Sequence, residues 1–480
     1  MQQPSTGPSG PRPLFVDLDG TLLRTDLLVE GVFALLKKNI LFLFMLPVWM
    51  LRGKACLKEQ IAHRVDIDPE SLPYHADLVE LLRKRKEAGG RLILTTASPR
   101  KFAAAVADYL GLFDEVQATA DGINLRGRCK LAIMREVTQE TGFDYAGNAL
   151  ADLPIWREAA DCIVVNPSPA VLRRIRADRP DSVVLADPGR NSLGQFALGL
   201  RLHQWLKNVL VFVPLAMAHR LDDPGLVANS MLAFLAFGLC ASSVYLLNDL
   251  FDLPADRRHP TKQYRPLASG WLSVGIAALL VPTLFAGSIA LALLLPFEFV
   301  LVLSGYFAIT LAYSLYLKHA VMLDVLVLAG LYTMRLIGGA AATSVTLSFW
   351  LLSFAMFLFL SLALAKRFSE LDLHSCAHEG VAVRGYRDSD LPMLAQLGSS
   401  SAVVSVLVLA LYINSDSVSV LYDRPQVIWL LCPLLLYLIS RIWLLAHRKM
   451  LDEDPVLFII RDRRSQLLAA LGIILLWVAS

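Results

Sequence analysis

Two acidic runs in this chain have spacings that chemistry can use. Phe15-Val16-Asp17-Leu18-Asp19-Gly20-Thr21-Leu22 sets two aspartates two positions apart, directly after a short β-type run. On a loop at the carboxyl end of a strand, the first carboxylate can attack phosphorus while the second passes a proton to the leaving oxygen. Much further along, Asn248-Asp249-Leu250-Phe251-Asp252-Leu253-Pro254-Ala255-Asp256 reads N-D-x-x-D-x-x-x-D. If a helix runs through it, Asp249, Asp252 and Asp256 fall three and four residues apart and, with Asn248, project from one face. Carboxylates packed this closely repel until a hard cation sits among them, and Mg²⁺ prefers to be shared with substrate phosphates. A solvated loop is the weaker reading, because the run closes a membrane-length apolar segment. The next residues, Arg257-Arg258-His259-Pro260-Thr261-Lys262-Gln263-Tyr264-Arg265-Pro266, bring cations beside the acids. Basicity alone would suit any cytosolic loop. Acids and bases together suggest a clamp for a Mg-diphosphate, with Lys262 and Arg265 on the non-bridging oxygens.

The elements that must position these groups fall into two kinds. Of 480 residues, 55% are hydrophobic and 18% charged, and the mean hydropathy of +0.53 argues against a disordered or purely soluble chain. The net charge of +3 is small and dispersed, so nucleic acid is not an expected partner. Cys56, Cys129, Cys162, Cys240, Cys376 and Cys432 form no C-x-x-C pair and no zinc spacing, which makes a reducing compartment the default. Residues 1–12, with Arg12 as their one charge, read as a flexible tail without the apolar core of a signal peptide. Residues 13–186 alternate β-type runs (14–16, 92–96, 162–165) with charged helical stretches such as 78–88, the pattern of an open α/β sheet. Residues 187–200, containing Pro188, Gly189 and Gly194, read as a linker to a second domain at 201–480.

That second domain holds nine apolar segments near the roughly 20 residues that a bilayer crossing needs. They centre on 206–218, 229–248, 272–295, 298–317, 322–342, 346–365, 397–413, 426–446 and 466–479. Basic residues such as Arg257, Arg258, Lys318, Lys366, Arg367, Arg448, Lys449 and Arg461 crowd the loops after the even-numbered segments, whereas the opposite loops hold essentially Arg220 and Arg424. This asymmetry predicts a multi-pass plasma (inner) membrane protein with its N-terminal domain and chemistry in the cytosol and its C-terminus outside. In the fifth segment Asp324 lies near the cytosolic end and Arg335 about 16 Å deeper at 1.5 Å per residue. A buried Arg should face a polar cavity or a lipid phosphate, with structural hydrogen bonding as its plainer role. Lys207 and Asn208 at the first segment's entrance are candidates for phosphate contact, and a snorkelling lysine is the plainer reading. Residues 39–51 are almost wholly apolar, follow Lys37 and Lys38, and are too short to span. They read either as a buried cap helix or as an interfacial segment.

Four runs together resemble the UbiA-type polyprenyl transferase superfamily, and within it the branch acting on decaprenyl-type phosphates with phosphoribosyl diphosphate. They are Arg201-Leu202-His203-Gln204-Trp205-Leu206-Lys207-Asn208, the Asn248 to Asp256 motif, the His259-Pro260-Thr261-Lys262 run ending near Gly270, and Tyr313-Ser314-x-x-Leu317-Lys318. The resemblance implies nine transmembrane helices around a central cavity, Mg²⁺ as cofactor, phosphoribosyl diphosphate as donor and a polyprenyl phosphate lipid as acceptor. It puts Tyr313 and Lys318 among the substrate-binding residues. Aromatic prenyl transferases of the superfamily usually carry a second acidic motif after the sixth span. Here that stretch reads Ala365-Lys366-Arg367-Phe368-Ser369-Glu370-Leu371-Asp372. Cations replace the first acids, which fits Lys366 and Arg367 neutralising a further phosphate such as the 5-phosphate of the donor.

The Asp17-x-Asp19-Gly20-Thr21 run resembles the haloacid-dehalogenase-like hydrolases, a Rossmann-type α/β fold. The resemblance makes Thr96 the phosphate-binding hydroxyl, Lys130 the charge-neutralising lysine, and Gly147-Asn148-Ala149-Leu150-Ala151-Asp152 the last metal-binding motif. Asn148 stands where that motif carries an acid, so it offers an oxygen to Mg²⁺ without the charge. The expected protein is thus an α/β hydrolase-like domain followed by an all-α membrane domain. It is expected to be a pentosyl-type transferase with Asp249, Asp252 and Asp256 holding Mg²⁺, fused to a phosphatase that removes the product's 5-phosphate, with Asp17, Asp19, Asn148 and Asp152 holding a second Mg²⁺. Three other readings stay open: aromatic prenyl transfer, an inactive regulatory hydrolase-like domain, and a lipid carrier. A homo-oligomer is compatible with all of them.

Overall fold

The computed structural model describes residues 12–119, 125, 127–138, 141–375, 385–415, 422, 424–451 and 454–479. The expected tail, apart from Arg12, and Cys376 lie outside the described residues. The other five cysteines are free thiols. The chain forms two compact units, one of residues 1–200 with 246–280 and one of residues 201–245 with 281–480.

The first unit is built on six strands: β1 (Leu14–Val16), β2 (Leu92–Pro99), β3 (Glu115–Thr119), β4 (Asp144–Gly147), β5 (Cys162–Val165) and β6 (Val183–Leu185). They pair in parallel in the order β3-β2-β1-β4-β5-β6. A parallel sheet is covered on both faces, which is why its inner strands read as nearly unbroken apolar runs. Along β1 and β2 the side chains alternate: Leu14, Val16, Leu92 and Leu94 join one core, while Phe15 and Ile93 join Tyr145 and Trp156 in the other. Between β1 and β2 stand α1 (Leu27–Lys38), α2 (Phe42–Leu51), α3 (Lys54–Arg64) and α4 (Ala76–Glu87). Asp26 caps α1, its carboxylate accepting from the amides of Leu28 at 2.9 Å and Val29 at 3.1 Å. The helices α5 (Arg100–Leu110), α6 (Arg128–Thr138), α7 (Leu153–Trp156), α8 (Pro169–Asp178) and α9 (Leu193–Gly199) follow.

The acidic-basic stretch 246–280 belongs to this same unit. After the short α10 (Val213–Met217) and the long α11 (Pro224–Phe251), α12 (Leu253–Arg258) carries Arg257 into a buried pair with Glu30 of α1, donating at 2.9 and 2.5 Å. Arg257 also donates to the Ala268 carbonyl at 3.1 Å, and Arg258 to Asp68 at 2.7 Å. Arg190 ties the stretch from its other side, donating to the carbonyls of Arg24 at 2.7 Å and Gly270 at 3.2 Å.

Among the described residues seven helices are long and apolar enough to cross a membrane: Pro224–Phe251, Val274–Ala292, Phe297–Leu315, Leu323–Thr343, Phe349–Leu373, Asp388–Ile413 and Gln426–His447. This corrects the expected nine. The first expected segment, 206–218, folds as an eleven-residue 3₁₀ helix, Leu202–Phe212, and the five-residue α10. Pro214 near the start of α10 has no amide hydrogen to donate, and neither piece is long enough to span. The last, 466–479, lies in Arg463–Ala479, whose 17 residues open on two arginines.

The Arg257–Glu30 pair gives a test of how the stretch is held. Replacing Glu30 with Ala strands a buried guanidinium, so the protein in detergent should lose about 3 kcal/mol of stability. Thermal unfolding unchanged by Glu30→Ala would show that the pair contributes nothing.

Candidate functional site

In the α/β unit β1 lies between β2 and β4, the place where strand order reverses and a crevice opens beyond the carboxyl ends. Asp17 follows β1, Thr96 sits on β2 and Asn148 follows β4, so residues far apart in sequence meet there. Lys130, on α6, donates to Asp17 at 2.7 Å and to the Tyr145 hydroxyl at 3.1 Å. Tyr145 in turn donates to Asp152 at 3.0 Å, and the amides of Asn148 and Ala149 donate to the same carboxylate at 3.2 and 3.0 Å. Asp19 accepts from the Leu27 amide at 2.9 Å and from the Ser98 hydroxyl, and the Thr96 hydroxyl accepts from the Ser98 amide at 3.0 Å. Gly20 has φ +76°, and a Cβ there would stand 2.1 Å from the Asn148 amide nitrogen, so that tight turn requires glycine.

Burial pushes the Asp17 carboxyl up, with Lys130 pulling against it. Burial, then the nearby Asp26 charge, pushes Asp19 up to about 7. One aspartate beside an ammonium and another poised near neutrality is an arrangement suited to a nucleophile paired with a proton carrier.

The second acidic motif straddles the end of α11 and the start of α12. Arg265 bridges two of its acids, lying 2.7 Å from Asp256 and 3.2 Å from Asp249. Asp252 is turned to Lys37 of α1, whose ammonium donates to it at 2.7 Å and to the Phe251 carbonyl at 3.0 Å. Asn248 is half-buried in the last turn of α11, and Lys262 opens a short 3₁₀ turn, Lys262–Tyr264. Among the described residues no three His, Cys, Asp or Glu side chains are grouped as a metal site. The donors nevertheless suit Mg²⁺ by type, being hard oxygens. Asp249 and Asp256 already converge on one positive charge.

In the membrane unit Lys207, Lys366 and Arg367 gather on two acids, Asp454 and Asp324. Asp454 accepts from Lys207 at 2.7 Å, from Lys366 at 3.1 Å and from the Tyr332 hydroxyl at 2.9 Å. Although burial opposes ionisation, these two lysines hold its carboxyl well below the usual range. Arg335 donates to the Asn208 side-chain oxygen at 2.9 Å, to the Tyr306 hydroxyl at 2.9 Å and to the Leu331 carbonyl at 2.6 Å. Its guanidinium also lies 5.0 Å from the centre of the Tyr306 ring. Arg367 is buried on Asp324 at 2.5 Å and pairs with Glu370, while Tyr386 donates to Asp324 at 2.6 Å. Tyr313, in the last turn of the helix Phe297–Leu315, and Lys318, in the turn that follows, are part-buried.

Sequence reasoning missed Lys37, Ser98, Tyr145 and, above all, Asp454. The Asp454-Pro455 pair carries a local signal: the Asp454 carboxylate accepts from the Val456 amide at 3.2 Å, as a helix cap does. Its two lysines are contributed by distant parts of the chain, so no spacing announces them. Asp454→Asn should cost about 3 kcal/mol at pH 7, because the buried Lys207 and the part-buried Lys366 lose their counter-charge. A depressed carboxyl stabilises the fold above its ordinary pKa of 3.8 and less below it, so the gap from wild type should narrow as pH falls under that value. Unfolding midpoints of both proteins across pH check the sign.

Residues 209–464 match the UbiA prenyltransferase family, and residues 14–157 match the haloacid dehalogenase-like hydrolases. The uncharacterised protein y4nM of Sinorhizobium fredii is 38% identical over 465 residues, covering 96% of this chain and 89% of that one. The nodulation protein NoeC of Azorhizobium caulinodans is 34% identical over 281 residues, 57% of this chain and 89% of its own length. A decaprenyl-phosphate phosphoribosyltransferase of Mycobacterium tuberculosis is 38% identical over 209 residues, 42% of this chain and 67% of the relative. With the family match extending over more than half its length, this integral membrane chain belongs to the UbiA prenyltransferase family, joined to an N-terminal haloacid dehalogenase-like domain.

Proposed function

We propose that the chain transfers the 5-phosphoribosyl group of phosphoribosyl diphosphate to a polyprenyl phosphate of the decaprenyl type, and that its N-terminal domain removes the 5-phosphate of the product. The observation that carries the transfer is the convergence of the buried Lys207 and the part-buried Lys366 on one point, Asp454, which brings together two ammonium groups able to bind a phosphate. The similarity to the decaprenyl-phosphate phosphoribosyltransferase of M. tuberculosis supports the same substrates.

An oxygen of the lipid phosphate is already anionic, so it attacks the ribose anomeric carbon without a general base. The new C–O bond forms as the bond to diphosphate breaks, and the electron pair leaves with the diphosphate. Lys207, Lys366 and Arg335 neutralise phosphate charge, and Asn208 and Tyr306 hold the Arg335 guanidinium in place. Arg367, matched by Asp324 and Glu370, anchors the helix turn that carries Lys366. Asp249, Asp252 and Asp256 would hold Mg²⁺, which when bound neutralises the departing diphosphate. Lys262 and Arg265 take its outer oxygens. In the second step Asp17 attacks the 5-phosphate, Asp19 protonates the leaving ribose oxygen, and Lys130 and Thr96 hold the phosphoryl oxygens. Water then releases phosphate from Asp17, with Asp19 accepting the proton. The Lys and Arg distribution supports a plasma-membrane location with both reactions on the cytosolic side.

Purified protein incubated with Mg²⁺, phosphoribosyl diphosphate and a polyprenyl phosphate should yield a lipid whose mass reports both steps. Asp249→Ala and Asp252→Ala should each lower transfer by about two orders of magnitude or more, and normal turnover in both would remove the metal assignment. Asp17→Asn should leave transfer intact and make the 5-phosphorylated lipid accumulate. An unchanged product profile would mean that the domain does not perform this step. Since burial pushes the Asp19 carboxyl up to about 7 and it must be protonated to assist the leaving oxygen, dephosphorylation in wild type should slow as pH rises through that value. A rate flat to pH 9 would contradict the role given to Asp19.

A further inference from the structure

Helix α2 has no counterpart in the chemistry above. From Ile40 to Leu51 no side chain carries a charge, and only the indole of Trp49 can donate a hydrogen bond. Trp49 is buried, and Phe42 and Leu46, on the same face, pack partly against the core of the α/β unit. The other face lies open: Leu41 is 62% exposed, Phe44 73% and Leu51 89%, with Leu43, Met45, Val48 and Met50 exposed beside them. The buried-cap reading therefore holds for one face alone. A helix that is apolar all round belongs in a core or in lipid, and a continuous apolar face left in water is a docking surface.

Three observations identify the occupant. The preceding helix α1 reaches the end of the spanning helix α11: the rings of Phe33 and Phe251 lie 5.8 Å apart, and Lys37 donates to the Phe251 carbonyl at 3.0 Å. The open face thus follows directly on a helix, α1, that touches the last residue of a helix long and apolar enough to cross a membrane. Second, the face is collared by exposed cations, Lys37 and Lys38 before it and Arg52 and Lys54 after it, with no acid between them. Arg64 adds a further positive group, 5.1 Å from the Trp49 ring centre. Third, apolar residues flanked by such cations match the layering of an anionic bilayer surface, with acyl chains below and phosphates above.

We infer that α2 is a monotopic anchor whose open face is sunk into the same leaflet that α11 ends in, tethering the α/β domain to the lipid surface by a contact separate from the spanning helices. The inference requires only that the chain is membrane-embedded and is independent of the reactions proposed above.

The full chain, reconstituted in vesicles of phosphatidylcholine and phosphatidylglycerol, tests it. An environment-sensitive fluorescent amino acid is placed at Phe44, at Leu51 in a second variant, and at the exposed Lys84 of α4 as reference. Because both positions on α2 project outward, the reporters leave the core intact. Lipids bearing a nitroxide in the upper acyl chain should quench the reporters at 44 and 51 severalfold more than the one at 84, and aqueous iodide should show the reverse order. Iodide access at 44 and 51 equal to that at 84 would overturn the anchor. So would protection from both quenchers, since protein rather than lipid would then cover the face.

Discussion

A charge taken out of water needs a partner of opposite sign, and that constraint organises both units of this protein. In the α/β unit it pairs Lys130 with Asp17, Arg257 with Glu30 and Arg24 with Asp187. In the membrane unit it sets Lys207 and Lys366 on Asp454, and Arg367 on Asp324. Each such pair recovers Coulombic energy only if geometry and further hydrogen bonds satisfy both ions. Tyr332 on Asp454, Tyr386 on Asp324 and Tyr145 on Lys130 supply those bonds. The tyrosines are thus as much part of the polar clusters as the ions themselves.

The same constraint shapes what the clusters can do. A pair of lysines held on one carboxylate has its counter-charge supplied by the folded chain itself. The acidic motif mirrors this with signs reversed, since Arg265 and Lys37 stand on its carboxylates as a metal cation would. Arg335 differs. Its partners are neutral oxygens from Asn208, Tyr306 and Leu331, so its charge is oriented without being cancelled by a carboxylate among them.

Apolar surface is the second organising quantity. The sheet buries its inner strands β1, β4 and β5 on both faces, whereas the long helices expose leucine, phenylalanine and valine outward because their solvent is hydrocarbon. Helix α2 carries the membrane type of surface on a domain otherwise built like a soluble one. The stretch 246–280, which follows directly from a spanning helix, packs with that domain through Arg257, Arg258 and Arg190.

Much was determined by sequence alone. Strands β1, β2 and β5 announced themselves as apolar runs, spanning helices as long uncharged ones, and the D-x-D-G-T and N-D-x-x-D-x-x-x-D spacings as chemistry, because each of these depends on neighbours within a few residues. The count of spans did not follow so simply: the expected segment 206–218 begins in Leu202–Phe212, whose chain takes a tight 3₁₀ path that composition does not encode. Asp454 escaped notice for a related reason. A lone Asp-Pro at a helix start reads as a cap, and only folding brings Lys207, from 247 residues away, onto it. Likewise 39–51 could be core or interface until the tertiary structure buried Trp49 and left Phe44 open. Local pattern is set by the period of the backbone, which the sequence carries. Which charge meets which, and which face meets lipid, is set by contacts between segments hundreds of residues apart, and those exist only in the folded chain.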